Sequence, residues 1–431
     1  MFVDKNNPQL ARLVEAFSIS SRDYSIIRGA SKTLSVSGVQ LSSRHQPEQE
    51  AEVQASNILE SDNLYIYGLG LGYLCEALLR RKNLKALNIK ILNLRLFSLI
   101  LRFRDQTKWL KDNRVIISLA SADPSIFGPF FAFPPDLLLA DESSHKIRNI
   151  LSSEIGNQVA LKQFNPDEPS IVERIQENYV YLEKDKDIDL LSGIAKGNSS
   201  VVIGAGPSLT TCISELKSLY NKKNRPVFIC VATATKLLVD AKIIPDYVVI
   251  IDKDTRLPHP LISNFSNMWK SKLIYFPLVF PKILGEWEGE RYAAYSASPM
   301  YDKAKVLYPK GSLFSGGSVI HVATDLASKI GCRSITFYGA DFSFTCNETH
   351  AGHTEGVVPM YHDTAKPGES NRWLKNGYGN MVPTLDSFIA YVLELERYIK
   401  DNSHIKFWNS SKLGAFIEGC DFIGDNQCKK L

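Results

Sequence analysis

Short apolar runs recur along the chain, each followed by a glycine or polar turn and then by a stretch with helical spacing. The first is NLYIYGLGLGYLCEALL (63–79), which reads as a strand, a glycine turn and a helix. NIKILNL (88–94), VIISLA (115–120) and PDLLLA (135–140) follow as strands. A second series runs VVIGAG (201–206), VFICVAT (227–233), YVVIID (247–252), LIYFPLV (273–279) and SITFYGAD (334–341). Runs this short and apolar, alternating with helices, predict parallel sheets covered on both faces. The expected fold class is therefore α/β, with two Rossmann-like parallel-sheet domains. Between the two series lies a polar helical stretch, ENYVYLEKDKDIDLLSG, ending in Gly-Asn-Ser-Ser. It reads as a connector. The predicted boundaries are an N-terminal domain over 1–165, a helical linker over 166–198 and a C-terminal domain over 199–431.

Composition changes this picture little. The chain has 431 residues, 44% of them hydrophobic, and a formal net charge of +4. That suits two globular cores and gives no reason to expect nucleic acid as a partner. Seven cysteines are present without a CxxC pair or zinc spacing, and several sit inside apolar runs. They read as small buried hydrophobes in a reducing compartment. The N-terminus, MFVDKNNPQLARLVEAF, carries charge and proline where a signal peptide is apolar, and no run is long enough to span a membrane. A cytoplasmic location is expected, with an oligomer left open.

Ligands of open parallel sheets bind beyond the carboxyl ends of the strands. The residues placed there are the candidates for chemistry. The first strand of the second series delivers Gly204, Ala205, Gly206, Pro207 and Ser208. These glycines suit unusual backbone angles and close ligand approach, and the helix after them should offer free N–H groups to a phosphate. This is neither a Walker A loop nor GxGxxG, since Leu209 stands where a third glycine would be. The second strand delivers Thr233, the third Asp252 and Asp254, and the last Asp341. A further loop, FSGGSV, brings Ser315, Gly316 and Gly317 to the start of a helix. On this reading, Ser208→Ala with Gly206→Val weakens ligand binding in a protein that still folds.

Asp252-Lys253-Asp254 can hold a divalent metal, form a turn or accept hydrogen bonds from a sugar or base. Direct ligand contact is the preferred role, and no metal site is assigned. His350 and His353 lie in NETHAGHT, beyond the last of these strands. A loop histidine there is placed to act as a general base near neutral pH, and His353 is the preferred one of the two.

Taken in order, GAGPSL, IDKD, SGGSV, GCRSITFYGADF, NETHAGHT and FWNSSKLGAFIEGC resemble the motility accessory factor (Maf) family of flagellin glycosyltransferases. The central domain of that family also occurs in archaeal 6-hydroxymethylpterin pyrophosphokinases. A more distant resemblance is to bacterial CMP-sialic acid sialyltransferases, whose GT-A-like fold is then expected for the second domain. The resemblance covers roughly 199–420. It implies that the GPSL turn bears the nucleotide phosphate, and that Asp252, 315–317 and Asp341 line the nucleotide-sugar site. It also puts His353 in the place of the general base, and Asn409 and Ser410 near the nucleotide. Ser343 stands where the sialyltransferases carry a tyrosine that assists the leaving phosphate, with Tyr361 and Tyr378 as substitutes.

The GLGLG turn resembles the cofactor loop of methyltransferases. Their next strand ends in an acid that binds ribose, whereas here it ends in Asn93-Leu94-Arg95. The N-terminal domain is therefore expected to be non-catalytic and to bind no S-adenosylmethionine. Three functions remain open. The leading one transfers a sialic-acid-like sugar from a CMP-sugar to flagellin, with no further cofactor. A pterin pyrophosphokinase would instead use ATP, with Mg²⁺ on Asp252 and Asp254. A nucleotide-binding scaffold without catalysis is the third.

Overall fold

The computed structural model describes residues 24–251, 268, 270–345, 351 and 372–423, together with 12 and 14; the side chains of 161 and 162 lie outside that description. The chain divides into two compact units, Met1–Val159 and Ala160–Leu431. Both are α/β units built on a parallel sheet.

The first unit opens with a small antiparallel sheet of β1 (Ser25–Arg28), β2 (Lys32–Val36) and β3 (Val39–Gln40). Its main sheet comprises β4 (Asn63–Tyr67), β5 (Ala86–Ile91), β6 (Val115–Leu119) and β7 (Phe130–Ala132), in the order β6-β5-β4-β7 and all parallel. Leu64, Ile66, Leu87 and Ile89 are buried in its core. PDLLLA, expected as a strand, instead lies largely in the helix Pro134–Leu138. Two prolines begin that helix, where a missing N–H costs nothing, and the strand is the aromatic run just before it.

The second unit contains a nine-stranded sheet. Its strands are β8 (Lys186–Asp187), β9 (Ser199–Ile203), β10 (Val227–Val231), β11 (Tyr247–Ile250), β12 (Lys272–Tyr275), β13 (Arg291–Ala293), β14 (Ser334–Tyr338), β17 (Lys406–Asn409) and β18 (Cys420–Phe422). A separate hairpin pairs β15 (Trp373–Lys375) with β16 (Met381–Pro383). The sheet order is β18-β17-β14-β9-β10-β11-β12-β13-β8, and every pairing is parallel. Its central strands are apolar along their whole length because helices pack on both faces, as Val201, Val202, Ile229, Val248 and Phe337 show.

The segment read as a linker is helical and packed. Ile171 and Ile175 from the helix Pro169–Glu177, with Leu182, Ile188 and Leu191, are buried in the second core. Asp185 fixes its end, accepting hydrogen bonds from the Arg291 guanidinium (2.8 Å to each oxygen) and the Tyr275 hydroxyl (2.9 Å).

In this sheet β9 has β10 on one side and β14 on the other, so the strand order reverses between β9 and β14. The first unit repeats the arrangement, with β5 and β7 on either side of β4. Such reversals open a crevice at the carboxyl edge of a sheet. Among the described residues, no helix is long and apolar enough to cross a membrane. The described cysteines, Cys75, Cys212, Cys230, Cys332 and Cys420, are buried and unpaired.

Candidate functional site

A cavity of about 260 Å³ opens where β9, β10, β11 and β14 end. The turn after β9 forms one wall. Gly204 N–H donates to the Tyr338 carbonyl and Gly206 N–H to that of Gly339, each at 2.8 Å. A Cβ on Gly204 would lie 2.4 Å from the Gly339 oxygen, and one on Gly206 would lie 2.6 Å from it and 2.7 Å from Asp341 Oδ2. Neither glycine has a positive φ. The sequence argument from unusual backbone angles is thus corrected: these glycines let two strand ends approach.

Asp341 closes the turn. Its Oδ2 accepts from Ser208 N–H at 2.7 Å and its Oδ1 from the Ser208 hydroxyl at 2.5 Å. Both residues are buried. Burial holds the Asp341 carboxyl above the usual carboxylate range, against the pull of the two Ser208 bonds. The first N–H groups of the helix Ser208–Tyr220 are also used, Leu209 on the Gly206 carbonyl (3.0 Å) and Thr210 on that of Pro207 (3.2 Å). These donors, expected to face a phosphate, are already occupied. Ala205, Gly206, Pro207 and Asp341 do line the cavity, whereas Gly204 and Ser208 stand behind them.

The SGGS loop supplies another wall through Gly317, Ser318 and Val319. Gly317 needs its freedom, with φ at +94°. Ser318 caps the helix Val319–Lys329, its hydroxyl accepting from Ile320 N–H at 3.3 Å. Behind it stands His321, which the sequence reading did not single out. Its Nδ1 accepts from Ser318 N–H at 3.3 Å, so its Nε2–H donates to the Tyr391 carbonyl at 2.9 Å. Burial lowers His321 to about 4, and the ring is neutral at pH 7. Gly316 packs against this ring, and neither Ser315 nor Gly316 is among the described lining residues.

Thr233 is exposed and lines the cavity. Asn409 and Ser410 do not. Asn409 is buried and its Oδ1 accepts from Ser411 N–H at 3.1 Å, while Ser410 N–H donates to the Phe337 carbonyl at 2.9 Å. The Asn409 bond closes a local turn, and the Ser410 bond ties the ends of β17 and β14 together. Tyr378 is exposed on the turn between β15 and β16, away from the lining. Asp252, Asp254, His350, His353 and Tyr361 lie outside the described residues.

Phe342, Phe388 and Tyr391 also line the cavity. Phe388 and Tyr391 come from the helix Asp386–Asp401, and their spacing of three residues puts them on one face. That spacing was the only sequence signal for them. Among the described lining residues there is no Lys, Arg or His. An anion held by them would therefore rest on N–H and hydroxyl donors and on the N-terminal end of Val319–Lys329. Among the described residues, no cluster of His, Cys, Asp or Glu is placed to hold a metal.

The glycine turn of the first unit is filled from within. The buried Asp136 accepts from Leu69 N–H at 2.8 Å and Gly70 N–H at 3.0 Å. Burial raises its carboxyl to about 6. Asn93, at the place of a ribose-binding acid, caps the helix Leu94–Phe103 by accepting from Leu96 N–H at 2.9 Å.

The family model described as 6-hydroxymethylpterin diphosphokinase MptE-like matches residues 173–347. This segment is similar to that family. The match agrees with the resemblance drawn from the motifs, whose central domain is shared with the pterin enzymes. The matched segment contains the GPSL turn, the SGGS loop and Asp341, and it ends before Phe388 and Tyr391. A solved structure of a Maf glycosyltransferase from Magnetospirillum magneticum AMB-1 is similar to this chain at 15% identity and a TM-score of 0.47, covering 98% of this chain and 73% of its own. No curated protein matches the chain.

Proposed function

We propose that the chain is a cytoplasmic glycosyltransferase that moves a nonulosonic, sialic-acid-like sugar from its CMP-activated form to Ser or Thr hydroxyls of flagellin, in support of flagellum assembly. The observation that carries this reading is the cavity at the β9–β14 reversal, with the hydroxyls of Thr233 and Ser318 and the start of the helix Val319–Lys329 beside an aromatic group. The order of the motifs and the MptE-like match support it further.

The donor's phosphate would rest on the capped start of Val319–Lys329, where fixed dipoles favour a leaving anion without reorganisation. His353 would accept the proton of the acceptor hydroxyl as its oxygen attacks the anomeric carbon. The bond to CMP breaks and CMP departs with the electron pair. The role of His353 rests on the NETHAGHT motif.

A pterin diphosphokinase is the second reading, favoured by the name of the matching family. It would use ATP, with Mg²⁺ on Asp252 and Asp254. A thermal-shift panel of CMP, CDP, ATP and S-adenosylmethionine, with and without Mg²⁺, separates the two, since a ligand of the native state raises its apparent stability. CMP alone is expected to stabilise. Magnesium-dependent stabilisation by ATP without any by CMP would sink the sugar-transfer reading. His353→Ala should retain CMP binding and lose about 10²–10⁴ in transfer to flagellin, with His350→Ala losing less. Wild-type transfer by His353→Ala would remove the general-base role.

A further inference from the structure

We infer that Phe342, Phe388 and Tyr391 form the subsite for a flat heteroaromatic ring, a nucleobase or a pterin, at one end of the substrate. The inference rests on the reading of the cavity as the substrate site. It does not depend on which group is transferred.

The backbone makes the first argument. Phe342 has φ at +46°, in the left-handed region where a bulky residue is strained. Surrounding bonds hold it there. The Thr384 hydroxyl donates to the Phe342 carbonyl at 2.7 Å, and Ala415 N–H donates to the Asp341 carbonyl at 2.7 Å. Phe344 N–H donates to the Pro383 carbonyl at 3.0 Å. Glycine would adopt this turn without strain. The chain instead keeps a phenylalanine at the residue following Asp341, which is 8% exposed at the edge of the core and lines the cavity. Strain retained at a cavity wall points to a use for the strained side chain.

Packing makes the second argument. The Tyr391 ring lies 6.5 Å from that of Phe342 at 67°, and 6.2 Å from that of Phe388 at 44°. These inclined contacts make an aromatic corner. Phe388 and Tyr391 stay half-buried, while their neighbours Ile389 and Val392 are buried in the core. The core buries the aliphatic face of this helix, and the aromatic face packs along the core's edge and lines the cavity.

Chemistry makes the third. With no cation among the described lining residues, ring stacking is the attraction these walls offer to the flat ring of a nucleotide or pterin. Stacking a base on an aromatic side chain changes affinity by roughly 5- to 150-fold.

The test measures binding of CMP, ATP and 6-hydroxymethylpterin by the full chain and by paired variants, each checked by its melting temperature. Tyr391→Leu and Phe388→Leu keep apolar volume and lose the π face. They should weaken the bound ligand about tenfold. Tyr391→Phe and Phe388→Tyr keep the face and should stay within about twofold. A Leu variant that does not fold is replaced by Met at the same position. CMP bound by the wild type and undiminished in the Leu variants overturns the inference and leaves sugar transfer standing. Equal losses in Tyr391→Phe and Tyr391→Leu overturn it as well, since the hydroxyl would then be the contact. Binding of the pterin without CMP, with the aromatic pattern kept, supports the subsite and sinks sugar transfer. A wild-type protein that binds none of the three overturns both.

Discussion

Replacing Asp341 by alanine tests the central claim about the β9 turn. The carboxylate satisfies two donors of one residue, Ser208 N–H at 2.7 Å and Ser208 Oγ–H at 2.5 Å. Ser208 is 1% exposed and Asp341 3%, so water does not replace the lost acceptor without a local opening. A buried donor left unpaired costs about 1–3 kcal/mol, and the two together about 2–6 kcal/mol. Asp341→Glu should fare no better, because Gly206 and Gly414 enclose the site: a Cβ on Gly414 would lie 2.6 Å from the Asp341 Cα. Asp341→Asn keeps one acceptor and should cost less than Ala. It also removes the titration. Burial raises the native carboxyl, so the folded state holds its proton more tightly than the unfolded chain. The stability difference between wild type and Asn should therefore shift against wild type as pH rises from the unfolded carboxylate value, ~4, through the folded one, a difference in which the opposing His321 titration cancels. Urea unfolding followed by tryptophan emission suits the second unit, which holds Trp269, Trp287, Trp373 and Trp408 against Trp109 alone in the first. An Ala variant within about 0.5 kcal/mol of wild type would refute the bracing role.

Two more groups titrate with opposite sign, one in each unit. Asp136 is raised to about 6, so the first unit should lose about 3 kcal/mol as pH rises from ~4 to 6, and Asp136→Asn should abolish that slope. His321 is lowered to about 4, so the second unit should lose about 3 kcal/mol as pH falls from 6.5 to 4, with His321→Gln removing the effect. Hydrogen exchange resolved by peptide and corrected for intrinsic rates reads the two units separately; slopes of the same sign in both would contradict the assignment. Gly206→Val, which the sequence suggests as a mild binding probe, should instead destabilise the second unit, because its Cβ meets the Gly339 carbonyl at 2.6 Å. A melting temperature equal to wild type would show that the strand ends can part.

The parallel strands and glycine turns were legible because apolar runs and glycine report local backbone needs. PDLLLA misled because its leucines suit either period, and the paired prolines that start a helix outweighed them. The candidate site was legible as a set of strand ends, since topology alone brings Gly206, Thr233 and Asp341 to one edge. What each side chain does there was not. Asp341 is turned to Ser208, far away in sequence, and nothing near either residue announces that bond. His321 reads as one polar position in an apolar helix until Ser318 and the Tyr391 carbonyl are seen on its two nitrogens. Tyr391 and Phe388 reach the cavity from a helix that lies between the motifs, after NETHAGHT and before FWNSSKLGAFIEGC, so only the three-dimensional packing brings them to it.

Both units place a carboxylate across the point where their strand order reverses, and the two carboxylates take different donors. In the first unit Asp136 takes the N–H groups of Leu69 and Gly70, two donors of the glycine turn itself. An incoming phosphate there would meet a buried carboxylate before it met a donor. In the second unit Asp341 takes its donors from Ser208, one step beyond the turn. Gly206 and Pro207 are left on the cavity wall, and the capped start of Val319–Lys329 supplies a second, separate set of dipoles. The same device thus fills one glycine turn and merely stiffens the other. Under the proposed function a phosphate would rest on the 317–319 side of the cavity rather than on the GPSL turn, whose Gly206 and Ser208 N–H groups are bonded within the protein, and this would reverse the order of importance that the motifs alone suggest.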